Sequence, residues 1–253
     1  MLGDGDTGPK PWPEPARLPR VSEYVTHREA MSGARLEVLR DALLSSRFVS
    51  RSTLMGTFQG SKGFAFIFTE AGRTKLEERF PFIQDYLELV MNPESWRGLR
   101  PWHERLFGSR KALRRPNAFY LNLLLLEPGR SVGRHVDATL QVPSGVPGAR
   151  PKHVSVLYLS VPEGAKGGAL VLSRGSHSSG EVHPKPGMLV HFRGDLTHEV
   201  LPFTGGPENA LRASLVCEQY AFEPEALARL PEFRIQSKAG FAAYLEEHHE
   251  RTG

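Results

Sequence analysis

Residues 118–137 read AFYLNLLLLEPGRSVGRHVD, and this stretch decides the architecture of the chain. An apolar run from Ala118 to Leu126, broken only by Asn122, stops at the turn Glu127-Pro128-Gly129. A second short run then leads to Arg134-His135-Val136-Asp137. The rest of the chain to about residue 222 keeps this rhythm of short apolar strands between Gly/Pro turns, which predicts a sandwich or barrel. Side chains two apart on a strand share a face. His135 and Asp137 are therefore expected on one face of one strand, with Val136 turned the other way into packing. Tyr120 and Asn122 share the parity of Leu126. In Ala210-Leu211-Arg212-Ala213-Ser214-Leu215-Val216-Cys217 the same alternation puts Arg212 and Ser214 on one face.

These residues have a chemistry in common. His135, Asp137 and the downstream His198, in Leu196-Thr197-His198-Glu199-Val200, make two imidazoles and one carboxylate. That is the ligand set of non-haem Fe(II) oxygenases, and it leaves coordination positions open. Arg212 offers a planar donor fork that suits a carboxylate, and the Ser214 hydroxyl can add to it.

In this ordered set the chain resembles the Fe(II)- and 2-oxoglutarate-dependent dioxygenases, in particular their prolyl-hydroxylase-like branch. The resemblance rests on His135-x-Asp137, His198 sixty-one positions after Asp137, and Arg212 fourteen after that. Val156-Leu157-Tyr158-Leu159-Ser160, Gly167-Gly168-Ala169-Leu170 and Pro186-Gly187-Met188-Leu189-Val190 agree with the family's intervening punctuation. It covers roughly residues 118–220. It implies an α+β chain with a mainly β core, a double-stranded β-helix or jelly roll flanked by N- and C-terminal helices. It implies Fe(II) held by His135, Asp137 and His198, with 2-oxoglutarate and O2 as cosubstrates. The far carboxylate of 2-oxoglutarate would meet Arg212, helped by Ser214 and Tyr158. Relatives often place a tyrosine just before the Pro-Gly turn; here that region is Leu124-Leu125-Leu126-Glu127, so Tyr120 or Asn122 is the expected substitute.

The implied reaction is hydroxylation of a C–H bond in an amino acid, a peptide or protein residue, or a natural product, with release of succinate and CO2. Halogenases of this kind carry a small residue where this chain has Asp137, so hydroxylation or desaturation is expected instead. Arg212 stands where prolyl hydroxylases proper often use lysine, which leaves prolyl specificity open. Nucleic-acid-acting relatives usually show a second arginine six residues after the first. Position 218 is Glu218, which argues against a nucleic-acid substrate. A non-enzymatic jelly-roll protein with a vestigial metal site is the remaining alternative; it should have lost a ligand or the anchor, and all four residues are present.

Composition sets the bounds. The chain has 253 residues, a formal net charge of +4 and 24% charged residues, ordinary values for a globular domain with extensions. Its single cysteine, Cys217, excludes an intramolecular disulfide and suits a reducing compartment. Residues 1–20 hold five prolines and no apolar core of a signal peptide, and no apolar run is long enough to span a bilayer. A cytoplasmic protein with no membrane contact is the expectation. The basic run Arg110-Lys111-Ala112-Leu113-Arg114-Arg115 lacks interleaved aromatics and reads as a solvated helix end or loop.

Four segments are expected: a disordered 1–20, a helical extension at 21–117, the jelly-roll core at 118–222 and a helical tail at 223–253. Helices are predicted at 30–49, where Leu36, Leu39, Leu43 and Leu44 recur at helical spacing, and at 80–91, 223–230 and 239–250. Residues 53–69 suggest a glycine-bent strand or arm, and 96–107 are ambiguous. The Gly/Pro-rich segment 138–152 reads as a lid over the iron. Of the ten histidines, His153, His183 and His191 lack partners in the pattern and read as structural or solvent-facing, with His191 a possible neighbour of the ligand shell. His248 and His249 sit in a charged, solvated tail.

Overall fold

Strand β3 (Ala118–Leu126) lies between β2 (Ala65–Thr69) and β12 (Arg212–Tyr220), and every one of its nine residues is buried. The structure is a computed structural model and describes residues 22–45, 64–99, 115–140, 150–208 and 210–236. The expected disordered N-terminus, the 239–250 helix, most of the basic run and most of the proposed lid lie outside the described residues.

The remaining elements in chain order are β1 (Tyr24–His27), α1 (Gly33–Leu44), α2 (Arg73–Arg79), α3 (Gln84–Met91), β4 (Val132–His135), β5 (His153–Ser160), β6 (Lys166–Gly167), β7 (Leu170–Arg174), β8 (His177–Val182), β9 (Leu189–Arg193), β10 (Thr197–Val200), β11 (Phe203–Thr204), α4 (Pro224–Leu227) and β13 (Phe233–Gln236). Among the described residues, seven antiparallel strands form the major sheet in the order β1-β9-β5-β12-β3-β2-β13. Four form the minor sheet, β4-β10-β7-β8, and β11 pairs with β6 alone. Two antiparallel sheets, with helices on the outer side of the larger one, make the jelly roll that the sequence resemblance implies.

Register explains which residues face where. In the β12–β3 ladder Arg212 lies opposite Leu126, Ser214 opposite Leu124, Val216 opposite Asn122 and Glu218 opposite Tyr120. The alternate set, Ala213, Leu215 and Cys217, turns outward with Leu121, Leu123 and Leu125. There it meets Leu36, Leu39 and Leu43 of α1 and Tyr86, Leu87 and Val90 of α3 in one apolar cluster. The inward set joins Val156, Val190 and Phe192 of the major sheet with Leu170, Leu172 and Val200 of the minor one. Both faces of these central strands are thus packed, which is why they read as continuous apolar runs rather than alternating ones. Phe68 and Phe119, partners across β2 and β3, stack at 4.9 Å. Such a pair contributes about 0.5–1.5 kcal/mol beyond its burial.

The predicted helices are shorter than expected. The 30–49 helix runs from Gly33 to Leu44, with Ser45 as its C-cap. The 80–91 helix is α3 preceded by a 3-10 turn at Pro81–Ile83, since proline fixes the first turn but has no N–H to continue one from upstream. The 223–230 helix is the single turn of α4. The 21–117 extension is not purely helical: β1 and β2 join the major sheet. β4 ends at His135, so Asp137 follows the strand instead of belonging to it, and Val136 is only half-buried. His183 is exposed as expected, at 73% of its side-chain area.

A polar patch interrupts the outer face. His191 is fully buried and its Nδ1 lies 2.8 Å from Ser155 Oγ. The Gln219 amide donates to Ser155 Oγ at 2.9 Å and to the Val90 carbonyl at 3.1 Å. His27 and His153 flank His191 with ring centroids 5.7 and 6.4 Å away. His191 therefore faces away from His198 and is no neighbour of the ligand shell. Burial, together with the charges His153 and His27 would carry, lowers its pKa to about 2.

Two predictions follow from this packing. Gly72 has an ordinary helical conformation, but a Cβ there would sit 1.7 Å from the Glu232 carbonyl oxygen, which accepts from Thr69 N. Gly72→Ala is expected to destabilise the protein by at least the ~1–3 kcal/mol of overpacking, read as a lower urea midpoint. His191 stays neutral in the folded protein while the unfolded chain takes up a proton near the ordinary 6.5. Its contribution to stability is whole above that pH and falls as pH drops, by about 2 kcal/mol between pH 6.5 and 5. Thermal melts of wild type should show this loss, and His191→Asn should flatten it.

Candidate metal centre

His135 closes β4, and its ladder partner on β10 is His198. Antiparallel pairing thus brings two imidazoles from distant parts of the sequence side by side, with ring centroids 4.3 Å apart. Asp137, just past the end of β4, completes the group. Its Oδ1 lies 3.3 Å from His135 Nε2 and its Oδ2 3.5 Å from His198 Nε2. One ligand atom from each residue falls within 4.8 Å of the other two, which is close enough to hold one ion. All three side chains are at most 10% exposed.

The imidazoles are oriented for this. Each turns Nδ1 towards the backbone carbonyl two residues upstream, His135 to Gly133 at 2.7 Å and His198 to Leu196 at 3.4 Å. A proton held on Nδ1 by a carbonyl leaves the Nε2 lone pair for a metal. Burial lowers the pKa of His135, but the adjacent Asp137 carboxylate more than offsets this and raises it overall. Burial lowers that of His198, and Asp137 only partly opposes it. Oδ2 of Asp137 is buried without a hydrogen-bond partner among the described residues. A buried carboxylate oxygen beside two imidazole nitrogens is a donor set that suits a divalent cation.

A second group lies on the inward face of the major sheet. Arg212 is 2% exposed, yet no carboxylate pairs with it among the described residues. Nη1 donates to the Gly168 carbonyl, the guanidinium carbon lies 5.6 Å from the centre of the Tyr158 ring, and Nε has no partner. Gly168, at φ +74°, permits this approach: a Cβ there would stand 3.0 Å from Nη1. Ser214 lies opposite Tyr158 on β5. The Tyr158 hydroxyl and both polar atoms of the Asn122 amide are likewise buried without partners among the described residues. Burial pushes the Tyr158 hydroxyl up to about 12, against the Arg212 charge, so it stays a donor at any ordinary pH. A buried cation with unused donors around it is costly unless an anion joins it.

The structure therefore brings together His135, Asp137 and His198, and separately sets Arg212, Ser214, Tyr158, Asn122 and Tyr120 on the inward face of the major sheet. His198 links the two regions through Phe192 of β9, 4.9 Å from it between ring centroids. Sequence reasoning missed Glu218 as part of this neighbourhood. It is 1% exposed, and burial and then the Asp137 charge raise its pKa above the ordinary carboxylate value, against the hydrogen bonds from Thr139 and Tyr220 that favour its charged form. Its parity with Arg212 and Ser214 was the available signal.

Residues 120–217 match the family model described as the 2OG-Fe(II) oxygenase superfamily, a span that includes all three clustered residues and Arg212. No curated protein matches the chain. Among solved structures, the chain is similar to a Trichoplax adhaerens prolyl hydroxylase in complex with a hypoxia inducible factor oxygen degradation domain peptide. That match has 15% identity and a TM-score of 0.52, and covers 82% of this chain and 86% of that one. A viral collagen prolyl hydroxylase from Paramecium Bursaria Chlorella virus-1, in a 2OG complex, is also similar. It has 15% identity and a TM-score of 0.50, and the match covers 79% of this chain and 97% of that one. At these identities the likeness speaks to the fold.

Removing the carboxylate tests the cluster itself. Asp137→Asn should weaken Co(II) binding, followed by its visible absorption under anaerobic conditions, by more than about 100-fold, at least the loss seen for residues that merely orient ligands. Unchanged affinity would show that these side chains do not hold a metal.

Proposed function

We propose, from the match of residues 120–217 to the 2OG-Fe(II) oxygenase superfamily, that this chain is a member of it and hydroxylates a C–H bond of an amino acid, a peptide or protein residue, or a natural product. Fe(II) is assigned to His135, Asp137 and His198. Bound there with 2-oxoglutarate and O2, it supplies the oxidising power for the substrate C–H bond, with succinate and CO2 as coproducts. The chain's own residues bind and orient. Arg212 takes the far carboxylate of 2-oxoglutarate, with Ser214 and the Tyr158 hydroxyl beside it. Asn122 and Tyr120 offer the further polar contacts from β3. The apolar cluster between the two sheets, with Leu124, Leu126, Leu170 and Leu172 packed beside Tyr158, limits water there, which strengthens each charged contact.

One observation carries this reading: Arg212 is buried with no carboxylate partner among the described residues. A guanidinium placed so is explained by an anionic ligand that brings its own carboxylate. Glu218, six residues on, puts a carboxylate where a nucleic-acid-acting relative would carry a second arginine, and so favours the small-molecule or peptidyl substrate. The jelly-roll core is assigned to residues 118–222, with β1, β2 and β13 extending its major sheet from outside that span. No helix among the described residues is long and apolar enough to cross a membrane.

Anaerobic reconstitution with Fe(II) and 2-oxoglutarate tests the assignment through the weak visible charge-transfer band of the chelate. Wild type should show the band and His135→Ala should not. Arg212→Ala should keep iron but need at least about 30-fold more 2-oxoglutarate, roughly the cost of losing a charge-assisted bidentate contact. A wild type that binds iron without the band would overturn 2-oxoglutarate as cosubstrate.

A further inference from the structure

Once β4 has ended at His135, the chain passes through Asp137 and on to Leu140 with no backbone–backbone hydrogen bond among the described residues. Something else must fix this segment, because Asp137 can serve a metal only if its carboxylate is held in place. The bonds that hold it come from side chains of β12. Oε2 of Glu218 accepts from Thr139 N at 3.2 Å, and Oε1 accepts from Thr139 Oγ1 at 2.6 Å. The Tyr220 hydroxyl donates to Glu218 Oε2 and accepts from Thr139 N at 3.0 Å and from Leu140 N at 3.3 Å.

We propose that Glu218 and Tyr220 are positioning residues that clamp the segment just after Asp137 and so set the geometry of the metal-binding carboxylate. The proposal rests on the reading of His135, Asp137 and His198 as metal ligands. Both clamp residues lie just beyond the span matched by the family, so they belong to this chain's own account.

The clamp is built to be stiff. Tyr220 is fully buried and stacks on Phe222, with ring centroids 5.4 Å apart and planes 5° from parallel. It packs in one cluster with Leu140, Tyr120 and Ala226. Glu218 projects from a part of β12 that is paired on both sides, opposite Tyr120 on β3 and Val154 on β5. It has no cationic partner among the described residues. A carboxylate buried in this way is costly, and an apolar side chain would pack the site at less expense. Among the described residues, every donor it receives comes from Thr139 or from Tyr220, which itself holds Thr139 and Leu140. The acid is thus explained by the segment it ties down. Outer-shell partners of this kind typically change metal affinity about 10–100-fold when removed.

The test compares Co(II) binding by full-length wild type, Glu218→Gln and Tyr220→Phe. Each is also checked for thermal midpoint and near-ultraviolet circular dichroism. Glutamine turns an amide N–H2 towards donors the carboxylate had accepted, so E218Q should lose the clamp while keeping side-chain shape. Y220F keeps the stack on Phe222 and removes the acceptor for Thr139 and Leu140. Both should bind Co(II) about 10-fold or more weakly, with altered visible bands that report a changed ligand geometry. Folded variants that bind Co(II) with wild-type affinity and spectrum would overturn the clamp and leave the metal site standing. If E218Q does not fold, Y220F decides alone. A wild type that binds no Co(II) would overturn the metal assignment and the clamp together.

Discussion

Strand β12 is buried along its whole length and pairs on both sides, with β3 and with β5, so each of its side chains must answer to one of two crowded faces. Its outward residues Ala213, Leu215 and Cys217 are small or apolar and seat the helices. Apart from Val216, its inward residues Arg212, Ser214, Glu218 and Tyr220 are polar, although they are buried as deeply. The constraint is that a single two-residue period serves packing on one side and chemistry on the other. A slip of one residue in register would carry the guanidinium and the carboxylate into the leucine layer and the leucines into the site. The long ladders to β3 and β5 make such a slip expensive, and the rest of the site depends on them.

The metal-binding cluster depends on a weaker version of the same device. β4 and β10 are four residues each, and their ladder has a register shift between His198 and Val200. Pairing places His135 against His198, but it ends there, and the third side chain stands on unpaired backbone. Two elements of different stiffness thus meet at the candidate metal: a strand pair that fixes the imidazoles, and a short exit segment that carries the carboxylate. Tethers from the rigid major sheet to that segment transfer order from the strong element to the weak one.

Much of this was legible in the sequence because strand parity is simple. The shared face of Arg212 and Ser214 follows from spacing alone, and so does the placement of Tyr120 and Asn122 with Leu126. Non-local pairings were not legible. Tyr24–His27 and Phe233–Gln236 are too short to announce themselves, and they are strands only because β9 and β2 offer them an edge. Spacing also failed at Asp137, where the two-residue period was assumed to continue past the point at which the ladder stops. His153 and His191 were legible only as structural or solvent-facing, because what buries them, Trp96 against His153 and His27 against His191, is distant in sequence.

Glu218 shows how an absence in a motif becomes a presence in a structure. Read as sequence, it was only the missing second arginine. In the fold it faces the same inward space that Arg212 faces, six residues along the strand, with the opposite charge. Among the described residues, the two ends of one strand face therefore present a base without an acidic partner and an acid without a basic one, six residues apart along the strand. Buried charges are tolerated where they have another task. For Arg212 the task requires a ligand's carboxylate. For Glu218 the donors are already in the chain, which is why one end of β12 reads as a place for a cosubstrate and the other as a support for a metal ligand.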